Sequence, residues 1–112
     1  MKLPGGDRAI VDREKLVGHC LSVDHPRGKH KARMFARVLG FNAEYADELR
    51  EALLEAAAGN DATVSHADRY GERYVIDFVV SGPRGTGTVR STWILLRGDD
   101  RPRLTSCYVK QE

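Results

Sequence analysis

A chain of 112 residues has room for one hydrophobic core, so a single domain over 1–112 is expected. Hydrophobic residues make up 41% and charged ones 30%, a globular balance that argues against wholesale disorder, a collagen or a coiled coil. Eighteen basic against sixteen acidic side chains leave a net charge of +2, and bulk charge therefore announces no nucleic-acid binder.

Residues 4–11 read as an irregular lead-in in which Ala9, Ile10 and Val11 can pack as a short extended piece. Asp12 is placed to cap a first helix over about 13–21, with Leu16, Val17 and Cys20 on one face and Gly18 weakening it. Pro26 and Gly28 mark the loop that follows. A second helix is expected over about 29–39, where Ala32, Phe35, Ala36 and Leu39 share a face and Gly40 stands at its end. Asn42 can cap a third, over about 43–58, in which Tyr45, Leu49, Ala52, Leu53 and Ala56 follow helical spacing.

Beyond residue 60 the period becomes two. Tyr74, Ile76, Phe78 and Val80 alternate with Val75, Asp77 and Val79, and the run ends at Gly82-Pro83-Arg84-Gly85. A second strand is expected over about 87–96, with Val89, Trp93 and Leu95 opposed to Thr88, Arg90, Thr92 and Ile94. A third covers about 103–110, and a weaker one lies near 62–66. Short links favour an antiparallel meander. The expected fold class is therefore α+β, two to three N-terminal helices packed on a three- to four-stranded antiparallel sheet.

Charge is polarised along this order. Residues 1–40 hold nine basic side chains against four acidic ones, whereas 41–60 hold five acids and one arginine. No apolar run approaches the roughly 18–20 residues of a membrane span, and the first residues lack the apolar stretch of a signal peptide. Cys20 and Cys107 stand in unrelated contexts and read as two buried free thiols of a reducing compartment, although a single bridge between them stays open.

Three stretches could carry chemistry. From Asp24 to Arg33, four cations (Arg27, Lys29, Lys31 and Arg33) and two imidazoles (His25 and His30) crowd a helix start, with Arg37 just beyond. The helix dipole prefers acids there, so the cations either serve an anion or form a solvated basic face. On the second strand, Thr88, Arg90 and Thr92 make a polar platform with a guanidinium fork suited to phosphate, or simply the wet side of a sheet. On the last, Thr105 and Tyr108 have opposite parity and share the Arg90 side only if a bulge intervenes. The histidines and cysteines lack zinc-site spacing, Cys107 is a poor nucleophile candidate, Asp99-Asp100 reads as a turn, and Trp93 reads as core. No metal and no cofactor is expected.

Lys15-Leu16, then His25-Pro26-x-Gly28-x-x-Lys31-Ala32-x-x-Phe35, then Leu39-Gly40-Phe41 form half of a recognisable pattern. Tyr70-Gly71-x-x-Tyr74, Thr88-Val89-Arg90-x-x-Trp93-Ile94 and Pro102-Arg103-Leu104-Thr105-x-x-Tyr108 form the other half. Over roughly residues 3–110 the chain resembles an uncharacterised bacterial domain family, found alone and at the C-termini of filamentous-haemagglutinin-like polymorphic toxins. Such toxin tips are similar to the barnase, EndoU, colicin and RelE-like ribonucleases. The resemblance implies metal-independent RNA cleavage by the ribose 2′-hydroxyl, in the cytoplasm of a target cell, with RNA (tRNA among the candidates) as substrate and a cognate inhibitor or antitoxin as protein partner. It implies His25 as proton carrier, because an imidazole titrates near neutrality, and Lys31 and Arg90 on the phosphate. Thr105 would position that phosphate with Thr92, Tyr108 would be a second proton donor, and Lys29, His30 and Arg33 would guide the RNA. The alternative is a non-catalytic RNA- or protein-binding module of a toxin–antitoxin-like pair using the same basic patch.

Overall fold

Where the hydrophobic period switches from helical to alternating, the architecture switches too. The computed structural model describes residues 1–111. Helices α1, α2 and α3 occupy residues 13–20, 29–39 and 43–59. Strands β1 Thr63–Asp68, β2 Gly71–Gly82, β3 Gly85–Leu96 and β4 Arg103–Val109 then pair antiparallel in chain order. The result is the expected α+β class, three helices against one face of an open four-stranded meander. The weak strand signal near 62–66 is β1, an edge strand exposed along its whole length. The lead-in contributes a parallel bridge: Ile10 N–H donates to Pro102 O at 2.8 Å, and Leu104 N–H returns to Ile10 O at 2.9 Å.

Helices α1 and α2 differ from regular helices in their second halves. Each starts as α-helix, Arg13–Lys15 and Lys29–Met34, and ends in a wider π turn, Leu16–Cys20 and Phe35–Leu39. Apolar spacing alone does not foresee this widening. In both turns the first and last side chains are fully buried, Leu16 with Cys20 and Phe35 with Leu39, so tertiary packing overrides the regular repeat. Asn42 caps α3 as expected, its Oδ1 accepting the Glu44 N–H at 2.9 Å. Asp12 does not cap α1 with its side chain. Its carboxylate instead accepts from Arg103 Nη1 at 2.8 Å, a charge-assisted bond that outcompetes a neutral cap and ties the helix start to β4.

The helix-facing side of the sheet is Tyr74, Ile76, Phe78 and Val80 of β2 with Val89, Ser91 and Trp93 of β3. Val75, Asp77, Thr88, Arg90 and Thr92 take the other parity and lie on the open side, as the alternation predicts. β4 joins this pattern through a bulge. Ser106 pairs with Thr92 and Leu104 with Trp93, which leaves Thr105 as the extra residue. Above the bulge, Cys107 and Val109 face the helices and Tyr108 pairs with Arg90; below it, Leu104 faces the helices. One inserted residue thus reconciles the parities of Thr105 and Tyr108.

Pro83 and Arg84 form the two-residue tip joining β2 to β3, and this tip sits on the C-terminal end of α2. Arg84 N–H donates to Leu39 O at 3.1 Å. Gly40 permits the approach. Its φ is +77°, and a Cβ there would lie 2.7 Å from Arg84 Cγ and 3.0 Å from Pro83 Cγ. Gly40→Ala is therefore expected to lower stability by about 1–2 kcal/mol from the left-handed backbone alone, read as a fall in the urea midpoint.

Candidate functional site

Lys31 connects the basic helix to the sheet. Its position in the first half of α2, with Ala32 and Phe35 buried beside it, leaves the side chain half-buried against β4. Its Nζ lies 2.8 Å from Ser106 Oγ and 5.7 Å from the centre of the Tyr108 ring. Tyr108 is the cross-strand partner of Arg90, and Thr92 and Thr105 share a hydroxyl–hydroxyl bond at 2.6 Å on the same strand pair. Five sequence candidates therefore form one continuous patch: Lys31, Arg90, Thr92, Thr105 and Tyr108. Ser106 joins them.

Arg90 is not the free fork expected from sequence. Asp77, directly opposite it on β2, accepts from Arg90 Nε at 2.9 Å and from Nη2 at 3.0 Å, and Lys110 Nζ approaches the same carboxylate at 3.2 Å. The carboxylate fixes the guanidinium plane, while the remaining N–H groups stay available to an incoming anion. Two cations and one carboxylate leave the cluster net positive. The Arg90 bond, and then that of Lys110, hold the Asp77 carboxyl below the usual carboxylate range. A depressed carboxyl stabilises the fold fully above its unfolded value, near 3.8, and loses that contribution as pH falls through the lower folded value. The difference in urea midpoint between the parent and Asp77→Asn is expected to be widest at about pH 5–7 and to close below about pH 4.

His25 is placed differently. Its Nδ1 accepts the backbone N–H groups of Arg27 at 3.0 Å and Gly28 at 2.9 Å, which closes the loop before α2. Neutral His25 therefore carries its proton on Nε2, the nitrogen that faces His19 Nδ1 at 3.4 Å. The two rings meet edge to face with centres 4.4 Å apart. Burial, and then the nearby charges of His25, Lys31 and Lys15, push the His19 imidazole down. His25 thus contacts His19, whose imidazole feels the Lys31 charge, and makes no side-chain hydrogen bond to the sheet patch among the described residues, which leaves it on the flank. Lys29, His30 and Arg33 line α2 with no carboxylate partner among the described residues, His30 and Arg33 exposed and Lys29 half-buried.

Under Lys31 and Ser106 lies the thiol pair. Cys20 of α1 and Cys107 of β4 are free and fully buried. The Cys107 thiol donates toward Cys20 and draws Cys20 down to about 7, with Lys31 adding to the effect, while Cys107 itself is pushed up. Among the described residues, no three His, Cys, Asp or Glu side chains gather as a metal-binding group. No helix of the described residues is long and apolar enough to cross a membrane.

A family model described as a domain of unknown function, DUF6883, matches residues 2–111, the whole stretch that carries the motifs above. The chain belongs to that family. No curated protein matches it in sequence. In structure, this DUF6883 domain is similar to a chain of a contact-dependent growth inhibition toxin–immunity protein complex from Klebsiella pneumoniae 342. The TM-score is 0.67 at 17% sequence identity, covering 96% of this chain and 98% of the other. At that identity the likeness establishes a shared fold.

Sequence reasoning passed over Asp77, His19 and Ser106. Asp77 had a readable signal: a two-residue turn at Pro83–Arg84 fixes the β2–β3 register and sets Asp77 opposite Arg90. His19 and Ser106 had none, because their roles depend on how α1 and α2 meet β4.

Proposed function

We propose that this DUF6883 domain is a metal-independent endoribonuclease of the polymorphic-toxin kind. The observation that supports it most is Lys31, a helix cation that crosses to the hydroxyl-bearing strand pair and stands beside Tyr108, the cross-strand partner of Arg90. In this reading a scissile phosphate rests between Lys31 and Arg90, with Thr92, Thr105 and Ser106 orienting its non-bridging oxygens. His19 Nδ1, released from the His25 Nε2–H, accepts the 2′-hydroxyl proton as the 2′-oxygen bonds to phosphorus, and His25 stays held by its loop bonds. The bond to the 5′-oxygen breaks, and Tyr108 gives that leaving oxygen a proton. The products are a 2′,3′-cyclic phosphate and a 5′-hydroxyl.

The fold shared with a chain of a toxin–immunity complex supports a protein partner, which this reading takes to be a cognate inhibitor. The position of His25 on the flank favours a second reading, a binding module that grips RNA without cutting it.

Incubation of the purified protein with single-stranded RNA in excess chelator decides between them. Cleavage to cyclic-phosphate ends, with the 2′-deoxy version of the same sequence left whole, is the expected result. RNA that is bound but intact establishes the second reading.

A further inference from the structure

Three adjoining depressions run from Lys31 and Tyr108 along α2 to the β2–β3 tip, with volumes of about 330, 470 and 540 Å³. All three share Met34 and Gln111 as walls, so they form one continuous groove. Each volume falls in the range of small-ligand sites, roughly 300–1,000 Å³. The groove has a distinctive charge. Arg33, Arg37 and Arg84 line the 540 Å³ depression, Lys31 the 330 Å³ one, and Arg37 with Lys110, which also reaches Asp77, the 470 Å³ one; no aspartate or glutamate is among the described residues that line them.

Elsewhere on the surface, Arg13 pairs with Asp47, Arg103 with Asp12 and Arg8 with Asp100, while Arg27, Arg69, Arg73, Arg97 and Arg101 stand singly, with no such pair among the described residues. Arg33, Arg37 and Arg84 have no carboxylate within ion-pair distance among the described residues. Arg84 is also held in place, because its backbone is bonded to Leu39 O and the tip is seated on Gly40. Between the cations, Met34, Ala36, Val38 and Val109 give an apolar wall flanked by His30 and the Tyr108 ring, and Thr86, Thr88 and Gln111 give a polar one.

We infer that this groove binds an unpaired polynucleotide strand, its phosphates on Arg33, Arg37 and Arg84 and its bases against the Met34–His30–Tyr108 wall. Cations that track a backbone beside faces on which bases can stack are the requirements of single-strand recognition. A duplex hides those base faces and would leave the apolar wall unused. The inference rests on the ribonuclease reading for its substrate class, and it extends that reading by making the substrate single-stranded on one side of the cut.

The test uses a short fluorescent 2′-deoxy oligonucleotide, which lacks the nucleophile, in anisotropy titrations over a salt series. For three to four phosphate contacts the log–log salt slope is expected near about −2 to −3, since single strands contribute about −0.7 per phosphate. Arg84→Ala is expected to flatten that slope by about 0.7, and the Arg33→Glu, Arg37→Glu double variant to weaken binding by at least about tenfold. Arg97→Glu, an exposed cation outside the groove, is expected to change affinity by less than about twofold.

Equal affinity for the duplex form overturns the inference, as does an Arg97→Glu loss matching that of the double variant. Failure to bind the oligonucleotide, with polyglutamate bound by wild type and released by the double variant, overturns it in favour of an acidic protein partner. The groove and the chemistry fail separately. Oligonucleotide bound with the predicted slope but RNA uncut supports the groove and removes the nuclease. RNA cut with KM unmoved by the double variant overturns the groove and keeps the nuclease.

Discussion

Lys31→Ala is expected to lower the rate of RNA cleavage by at least about a hundredfold, the usual loss when one donor to a developing phosphate or oxyanion charge is removed. The residue is half-buried and set between Ser106 and the Tyr108 ring, where a cation is worth more than at an open surface. Alanine suits a helix at least as well as lysine, so the fold has no reason to suffer. The check is a comparison of kcat and KM with the urea midpoint of the same preparation. A fall confined to kcat places Lys31 on the transition state, whereas a rise in KM alone makes it a tether for RNA. A second readout moves with the same charge: without Lys31 the Cys20 thiol is expected to titrate higher. A variant that cuts RNA at the parental rate would remove Lys31 from the chemistry.

The largest expected loss of stability comes from the sole tryptophan. Trp93→Ala is expected to cost about 3–5 kcal/mol, a large part of the roughly 5–15 kcal/mol that holds a small protein folded. Trp93 is fully buried on β3 opposite Tyr74, and its indole N–H donates to Ser91 Oγ at 2.9 Å. Ser91 is the one buried polar side chain of the described core and donates in turn to Ile76 O at 2.9 Å. The network makes a second substitution informative. Ser91→Ala keeps the packing but leaves the indole N–H without its acceptor, at a cost of about 1–3 kcal/mol. Circular dichroism in urea is the measurement, because Trp93→Ala also removes the indole fluorescence. If both variants unfolded at the parental midpoint, packing around β3 would not anchor the sheet.

Much of the fold was legible because periodicity and turn residues are local. Asn42 and Gly40 bound their helices as their chemistry dictates, and Gly82-Pro83-Arg84-Gly85 fixed the central hairpin. What could not be read depends on distant partners. The π turns at Leu16–Cys20 and Phe35–Leu39 are set by packing on the sheet, and Asp12 left its cap for Arg103, ninety-one positions away. The candidate site divides along the same line. Arg90, Thr92 and Tyr108 share a side because strand parity and one bulge put them there. The contact of Lys31 with Ser106 arises from docking α2 on an edge strand, and the turning of His25 onto His19 from the path of the loop between α1 and α2, neither of which spacing encodes.

The extra residue in β4 also limits how the length of this chain can vary. A residue inserted beside Thr105 would move Leu104 off Trp93 and the segment that receives Ile10 off its seat, whereas deleting Thr105 would only close the bulge, with Ser106 still opposite Thr92 and Leu104 still opposite Trp93. The connection at 97–102 has an exposed, glycine-containing stretch that can absorb added or missing residues at its tip. Insertions in natural or engineered versions should therefore collect around Gly98 and Asp99, whereas loss of Thr105 alone keeps the sheet in register and costs its hydroxyl bond to Thr92.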